Sequence, residues 1–189
     1  ATSKKLGAVV EAFDVRAAAK EEVMSLGAKF VEVEGAKDEK SAGGYAVEQT
    51  EEFKQKQKQK IHEHASKADV IICTAQIPGR KAPLLIQKET VEAMKAGSVI
   101  IDMAASTGGN CALTKNDEMI TTPNGVLIIG NSNLAGMKPS DASKMFGKNL
   151  LNFLKLIIDK EGKLNLNFAD DIVKGTCITH NKEITNERV

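Results

Sequence analysis

Val70-Ile71-Ile72-Cys73-Thr74-Ala75-Gln76 is a β-branched apolar run with no polar alternation, and it ends in small and polar residues. A strand wetted on one face alternates apolar with polar side chains. One buried on both faces does not, and that arrangement belongs to a parallel sheet covered by helices. The same grammar recurs at Ala8 to Phe13, Val99-Ile100-Ile101 and Val126-Leu127-Ile128-Ile129, each run preceded by a turn or helix-stop signal: Gly7, Ala68-Asp69, Gly97-Ser98 and Asn124-Gly125. Helical segments are predicted between them at Ala17 to Leu26, Ala46 to Lys67 and Glu89 to Lys95, with a weaker strand at Lys29 to Val33. Alternating strand and helix is the α/β doubly wound, Rossmann-like pattern.

The chain has 189 residues, 42% hydrophobic and 27% charged, which suits one compact domain, or one domain plus a small appendage. Its formal charge of +1 excludes a nucleic-acid coat or a polybasic membrane clamp. No apolar run approaches the roughly 20 residues needed to span a bilayer, so no membrane insertion by this segment is expected. Three cysteines are too few and too scattered for a disulfide framework, and the three histidines show no zinc spacing with them, so no metal site is expected and a reducing setting is.

Three strand ends carry residues suited to chemistry: Asp14, Thr74-Ala75-Gln76 and Asp102. Ligands of open parallel sheets bind at the carboxyl ends of strands, so these ends are expected to line one crevice. Asp102 reads equally well as a turn-capping residue. The polar, glycine-containing stretch Glu34 to Tyr45 reads either as a lid over a site or as a plain surface loop. In the helix that follows, Phe53, Gln57, Ile61 and Ala65 recur at four-residue steps on one face. Gln57 then sits between inward apolar residues, partnered either by a ligand or by rim water.

A dinucleotide fold carries a glycine-rich turn after its first strand and an acid at the end of the second, about 20 residues on. Asp14 suits that acid, and it favours NAD over a 2′-phosphorylated cofactor, an argument softened by Arg16. No G-x-G-x-x-G occurs, and counting about 20 residues back from Asp14 falls before Ala1. The expected fold is therefore a doubly wound parallel sheet lacking its first strand and glycine loop in this chain. From Pro139 a long helix, capped by Ser140 or Asp141, runs to about Asp159 with a wide apolar stripe, followed by a short hairpin around Thr176 to Ile184. Residues 1–138 are thus read as a partial nucleotide-binding domain. Residues 139–189 are read as a bridging helix and tail packing on a second lobe.

The run Leu6-Gly-Ala-Val-Val-Glu-Ala-Phe-Asp14-Val15-Arg16, with Ala42-Gly-Gly44-Tyr45-Ala, Thr74 to Pro83, Gly97 to Ala104, Gly108-Gly-Asn-Cys111, Lys148 to Leu154 and Gly175-Thr-Cys-Ile-Thr179, resembles the NAD(H)-binding domain I of proton-translocating NAD(P) transhydrogenase. Alanine dehydrogenase is the near relative. The resemblance implies that Asp14, Val15 and Arg16 contact the adenine-side ribose. It implies that Gly44 and Tyr45 belong to a mobile loop closing over the nucleotide, and that Gln57 and Gln76 are further NAD contacts. Relatives often carry an apolar residue at the position of Gln76.

It also implies direct hydride transfer between NADH on this domain and NADP(H) on a separate domain III, with no catalytic acid or base in this chain. Proton movement through a membrane domain and homodimerisation follow from the same likeness, as does a soluble domain facing the cytoplasm in bacteria or an organelle matrix in eukaryotes. The alternatives are an alanine-dehydrogenase-like enzyme and a non-catalytic nucleotide-binding module.

Overall fold

A computed structural model describes residues 1–35, 50–77 and 79–186. They divide into two compact units, Ala1–Asn133 and Leu134–Val189. In the first unit the order is α1 (Thr2–Lys5), β1 (Glu11–Ala12), α2 (Ala17–Ser25), β2 (Lys29–Phe30), α3 (Glu51–Ala65), β3 (Val70–Cys73), α4 (Lys88–Ala93), β4 (Val99–Asp102), β5 (Met119–Thr121) and β6 (Leu127–Ile129).

The central sheet has the order β3-β4-β6-β5. Val70, Ile71, Ile72 and Cys73 pair in parallel with Val99, Ile100, Ile101 and Asp102, and β4 pairs in parallel with β6. A separate ladder joins β1 to β2, also in parallel. The fold is mixed α/β with a parallel-dominated sheet, consistent with the Rossmann-like expectation.

The sheet also contains an antiparallel strand that the pattern of apolar runs does not predict. β5 returns along β6, with Met119 opposite Ile129 and Thr121 opposite Leu127. Three residues of mixed character are too short to show a period, and only the neighbouring strand reveals their state. The β5–β6 pair closes tightly at Gly130. Its N–H donates to Glu118 O at 2.9 Å, its carbonyl accepts from Asp117 N at 2.8 Å, and a side chain there would drive into the carbonyl of Lys115.

The core gathers on one face of this sheet. Ile100, Ile128, Val91 and Val126 are wholly buried, and Ile61, Ala65, Cys73, Ile86, Met94 and Cys111 complete the cluster. α3 contributes Phe53, Ile61 and Ala65, the stripe expected from their spacing, with Gln57 half-buried between them. Within the described residues this helix begins at Glu51, where Thr50 takes the cap and its hydroxyl accepts from Phe53 N at 3.2 Å; the expected residues 46–49 lie outside them. α4 ends where Asn124 donates to the carbonyls of Val91, Glu92 and Met94, satisfying acceptors that a helix end leaves open. On the opposite face the edge strand β3 leaves Val70 57% and Ile72 56% exposed.

The second unit holds α5 (Pro139–Ile157), α6 (Asp171–Thr176) and the hairpin β7 (Thr179–His180) and β8 (Glu183–Ile184). Proline at the first turn starts α5, so neither Ser140 nor Asp141 is its cap; Lys138 holds that position without a side-chain bond. None of its residues is buried, and Met145, Phe146, Leu150 and Leu154 stand exposed on its surface. Thr176, expected in the hairpin, ends α6 instead, its hydroxyl donating back to the carbonyls of Ile172 at 2.7 Å and Val173 at 3.3 Å, while the Asp170 side chain caps the helix start. Among the described residues no helix is long and apolar enough to cross a membrane.

Gly130→Ala is expected to cost about 2 kcal/mol or more, since the new methyl meets backbone that cannot yield. Chemical denaturation of the variant beside the wild type measures it.

Candidate functional site

A cavity of about 240 Å³ opens at the carboxyl ends of β1 and β2. Residues 13–16 following β1 form one wall, Phe30 and residues 32–35 form another, and Lys20 of α2 and Phe53 of α3 complete the lining. The location follows from topology, since parallel strands deliver their carboxyl ends to one edge and the connecting loops diverge there. The lining carries the acids Asp14, Glu32 and Glu34 and the bases Arg16 and Lys20, so the cavity is slightly anionic.

Asp14 stands at the centre of this charge. Its Oδ1 accepts from the backbone N–H of Arg16 at 2.9 Å, the short-range turn that an aspartate forms with the residue two places on. The Arg16 guanidinium then folds back, donating from Nε to Oδ1 at 2.9 Å and from Nη2 to Oδ2 at 2.6 Å. Burial pushes the Asp14 carboxyl up, but the hydrogen bonds and charge of Arg16 outweigh it, and the carboxyl lies below its ordinary value. The side chain remains 27% exposed, and so still accessible from the cavity. On the adjacent wall Lys20 meets Glu32 at 2.7 Å. His64 of α3 bonds Glu11 of β1 at 2.7 Å, tying the helix that carries Phe53 to the strand that leads into Asp14.

Asp102 does not join this cavity, which corrects the expectation that three strand ends share one crevice. It is wholly buried and accepts four hydrogen bonds: Ala104 N to Oδ1 at 3.0 Å, and Asn110 N at 2.7 Å, Cys111 N at 3.0 Å and Thr114 Oγ1 at 2.7 Å to Oδ2. A buried carboxylate requires such donors. Gly108 and Gly109, at φ of 102° and 77°, bend the chain back so that Asn110 and Cys111 can supply them. A Cβ on Gly109 would lie 2.9 Å from Asp102 Oδ2, so the approach requires glycine. Asp102 is thus the turn-organising residue of the two readings.

Asn110, which is not among the binding residues expected from the sequence, links this knot to the end of β3. Its Nδ2 donates to Ala75 O at 2.9 Å and Pro83 O at 2.8 Å, and its Oδ1 accepts from Ala75 N at 3.0 Å. Gln76 is exposed, but its Nε2 donates to Met103 O at 2.8 Å. The structure thus brings Asp14, Val15 and Arg16 together at the cavity and leaves Gln57 and Gln76 outside its lining. Gly44 and Tyr45 lie outside the described residues.

Among the described residues no cluster of three or more His, Cys, Asp or Glu is placed to hold a metal. Burial pushes the Cys73 thiol up to about 12, with the Asp102 and Cys111 charges adding to it. Cys111 is likewise raised by burial, against hydrogen bonds from Leu113 and Thr114. Neither is a nucleophile at neutral pH.

Comparison with known proteins places these features in a family. The family model described as Alanine dehydrogenase/PNT, C-terminal domain, matches residues 1–187. The first part of the NAD(P) transhydrogenase subunit alpha of Rhodospirillum rubrum is 48% identical over 189 residues, covering 98% of this chain and 49% of that protein. The NAD(P) transhydrogenase subunit alpha of Haemophilus influenzae is 42% identical over 182 residues, covering 96% of this chain and 36% of its own length. The chain therefore spans half or less of the length of these curated relatives. The crystal structure of transhydrogenase from Sinorhizobium meliloti matches with a TM-score of 0.74 at 40% identity, covering 97% of this chain and 47% of that one. Alanine dehydrogenase 1 of Staphylococcus aureus is 34% identical over 103 residues, about half of this chain.

Two outcomes follow from the site chemistry. In a carboxyl ¹³C titration Asp14 is expected below the ordinary aspartate value. In Arg16→Met the guanidinium's hydrogen bonds and charge are lost while the backbone N–H bonds from Val15 and residue 16 remain, and the midpoint moves up from the wild-type value. The stability lost in Arg16→Met is then full at pH 7 and vanishes as the pH falls below about 4, where wild-type Asp14 also protonates. With an aromatic disulfide reagent under native conditions, half-buried Cys177 is expected to react while Cys73 and Cys111 stay silent until the chain is unfolded.

Proposed function

The chain belongs to the alanine dehydrogenase/PNT C-terminal-domain family, and on that premise we propose that it is the NAD(H)-binding part of a proton-translocating NAD(P) transhydrogenase. The observation that carries this reading is the ionised, partly exposed carboxylate of Asp14 at a strand's end in a cavity with apolar walls. The residues fit the adenosine half of a dinucleotide. Asp14 would accept from the ribose hydroxyls, Val15 and Val33 offer apolar surface to the base, and the anionic lining disfavours a 2′-phosphate. Arg16 holds the carboxyl in its accepting form.

When bound, NAD(H) supplies the hydride that is exchanged with NADP(H) on a separate domain. The residues of this chain bind and orient it, and no catalytic acid or base is assigned here, because hydride transfer between two nicotinamides releases no proton. Gln57, Gln76, Gly44 and Tyr45 are proposed as further contacts, by likeness to the family. The remainder of the enzyme, with a domain holding NADP(H) and a proton-conducting membrane domain, is proposed as partner. The same likeness supports a homodimer and a position on the cytoplasmic or organelle-matrix side of the membrane.

A second reading, an alanine-dehydrogenase-like enzyme, draws on the family model, which spans both enzymes, and on relatives that match about half of the chain. Alanine-dependent formation of NADH by the full-length protein would select it.

The full-length protein is expected to bind NADH in preference to NADPH. Asp14→Asn is expected to weaken NADH about tenfold, equivalent to about 1.4 kcal/mol in charge-assisted hydrogen bonds. Calorimetric titration with both nucleotides measures it, and equal affinity for the two counts against the reading.

A further inference from the structure

The main sheet delivers a second set of strand ends, after β3 and β4, and one side chain holds them in register. β3 stops at Cys73, whose carbonyl still accepts from Met103 N at 2.9 Å. Beyond that point the chain after β4 turns away into the 105–107 turn, and the next backbone groups along, those of Ala75, lose their ladder partner. Asn110 replaces it. Its amide gives one acceptor to Ala75 N and one donor to Ala75 O, the two bonds that a neighbouring strand would have made. Its remaining amide hydrogen goes to Pro83 O, so both side-chain donors are used.

Asn110 is itself wholly buried, and its own N–H is fixed on Asp102. The segment so held is exposed at Thr74 and Gln76, and Gln76 is tied back to the residue after Asp102. A rigid, solvent-facing strand end supported by a fully bonded buried pair is how folds of this class present backbone to a ligand.

We infer that Asn110, anchored by Asp102, is a positioning residue for the dinucleotide. It sets the place of the Thr74–Gln76 segment through its paired hydrogen bonds to Ala75. This rests on the nucleotide-binding reading above and adds to it a residue that does not touch the ligand. Removing the amide leaves Ala75 N–H and C=O without partners, and the segment is released.

The test compares two substitutions around Asp102 in the full-length protein. Asn110→Ala removes the bonds to Ala75. Thr114→Val removes a different donor from the same Asp102 oxygen and leaves Ala75 untouched. Asn110→Ala is expected to weaken NADH at least tenfold and to speed hydrogen exchange of the Ala75 amide. Thr114→Val is expected to lower the melting temperature while keeping NADH affinity within twofold of wild type and Ala75 protected. Should Asn110→Ala fail to fold, Asn110→Leu nearly keeps the volume and removes both the acceptor for Ala75 N and the donors, and it is read the same way.

Unchanged NADH affinity in a folded Asn110 variant overturns the inference alone. So does loss of affinity in both variants in step with their melting temperatures. A wild type that binds no NADH overturns the nucleotide reading beneath it as well.

Discussion

A carboxylate with no exposure to water must be met by donors, and at the end of β4 that requirement shapes everything around it. Asp102 is met by three backbone N–H groups and one hydroxyl, all from the twelve residues that follow it. To supply them the chain must reverse within a few residues, and the consecutive glycines at 108 and 109 allow it. The reversal buries Asn110, whose amide then completes the hydrogen bonding of the neighbouring strand end. Charge burial at one residue thus organises two loops, at a cost offset only because every donor is in place.

The cavity beside Asp14 follows a different physics. The β1–β2 ladder is only two residues long on each strand and is tied to the rest of its unit by polar contacts, among them the His64–Glu11 bond. Its charges are half-exposed and paired with one another. Such pairs contribute little to stability, so they are free to serve as binding groups. The contrast bears on the proposed function: a wholly satisfied knot under the main sheet holds two loops together, and a paired but accessible carboxylate keeps acceptor oxygens open to the cavity, as the proposed sugar contact requires. Family membership and the strand-end position of the cavity support the same nucleotide reading from independent directions.

The parallel core was legible in the amino-acid sequence because short β-branched apolar runs such as Val70 to Cys73 and Val99 to Ile101 recur between helical segments, but the burial on both faces that they suggest is not met at the edge strand, where Val70 and Ile72 stand exposed. The helix stripe of Phe53, Ile61 and Ala65 was legible for the analogous reason, a repeat close to the helical turn. The β5 strand was not, since three residues carry no period and their direction is set by the partner strand.

At the candidate site the division is sharper. Asp14 was legible as an acid just past an apolar strand, whereas Val15 and Arg16 entered as contacts only through the likeness to the family; that all three line one cavity is a finding of the structure. Asp102 was recognisable as a carboxylate ending an apolar run, and its local sequence is the same whether it faces a ligand or a loop. What the sequence by itself determined is the parallel strands with long apolar runs, the helices with a clear stripe, and which of those strand ends carry polar groups, because these depend on neighbours within a few residues. Only the tertiary structure decided which carboxylate faces a cavity and which is sealed by backbone donors, because that depends on where the loop that follows it, and the end of a strand that precedes it, come to rest.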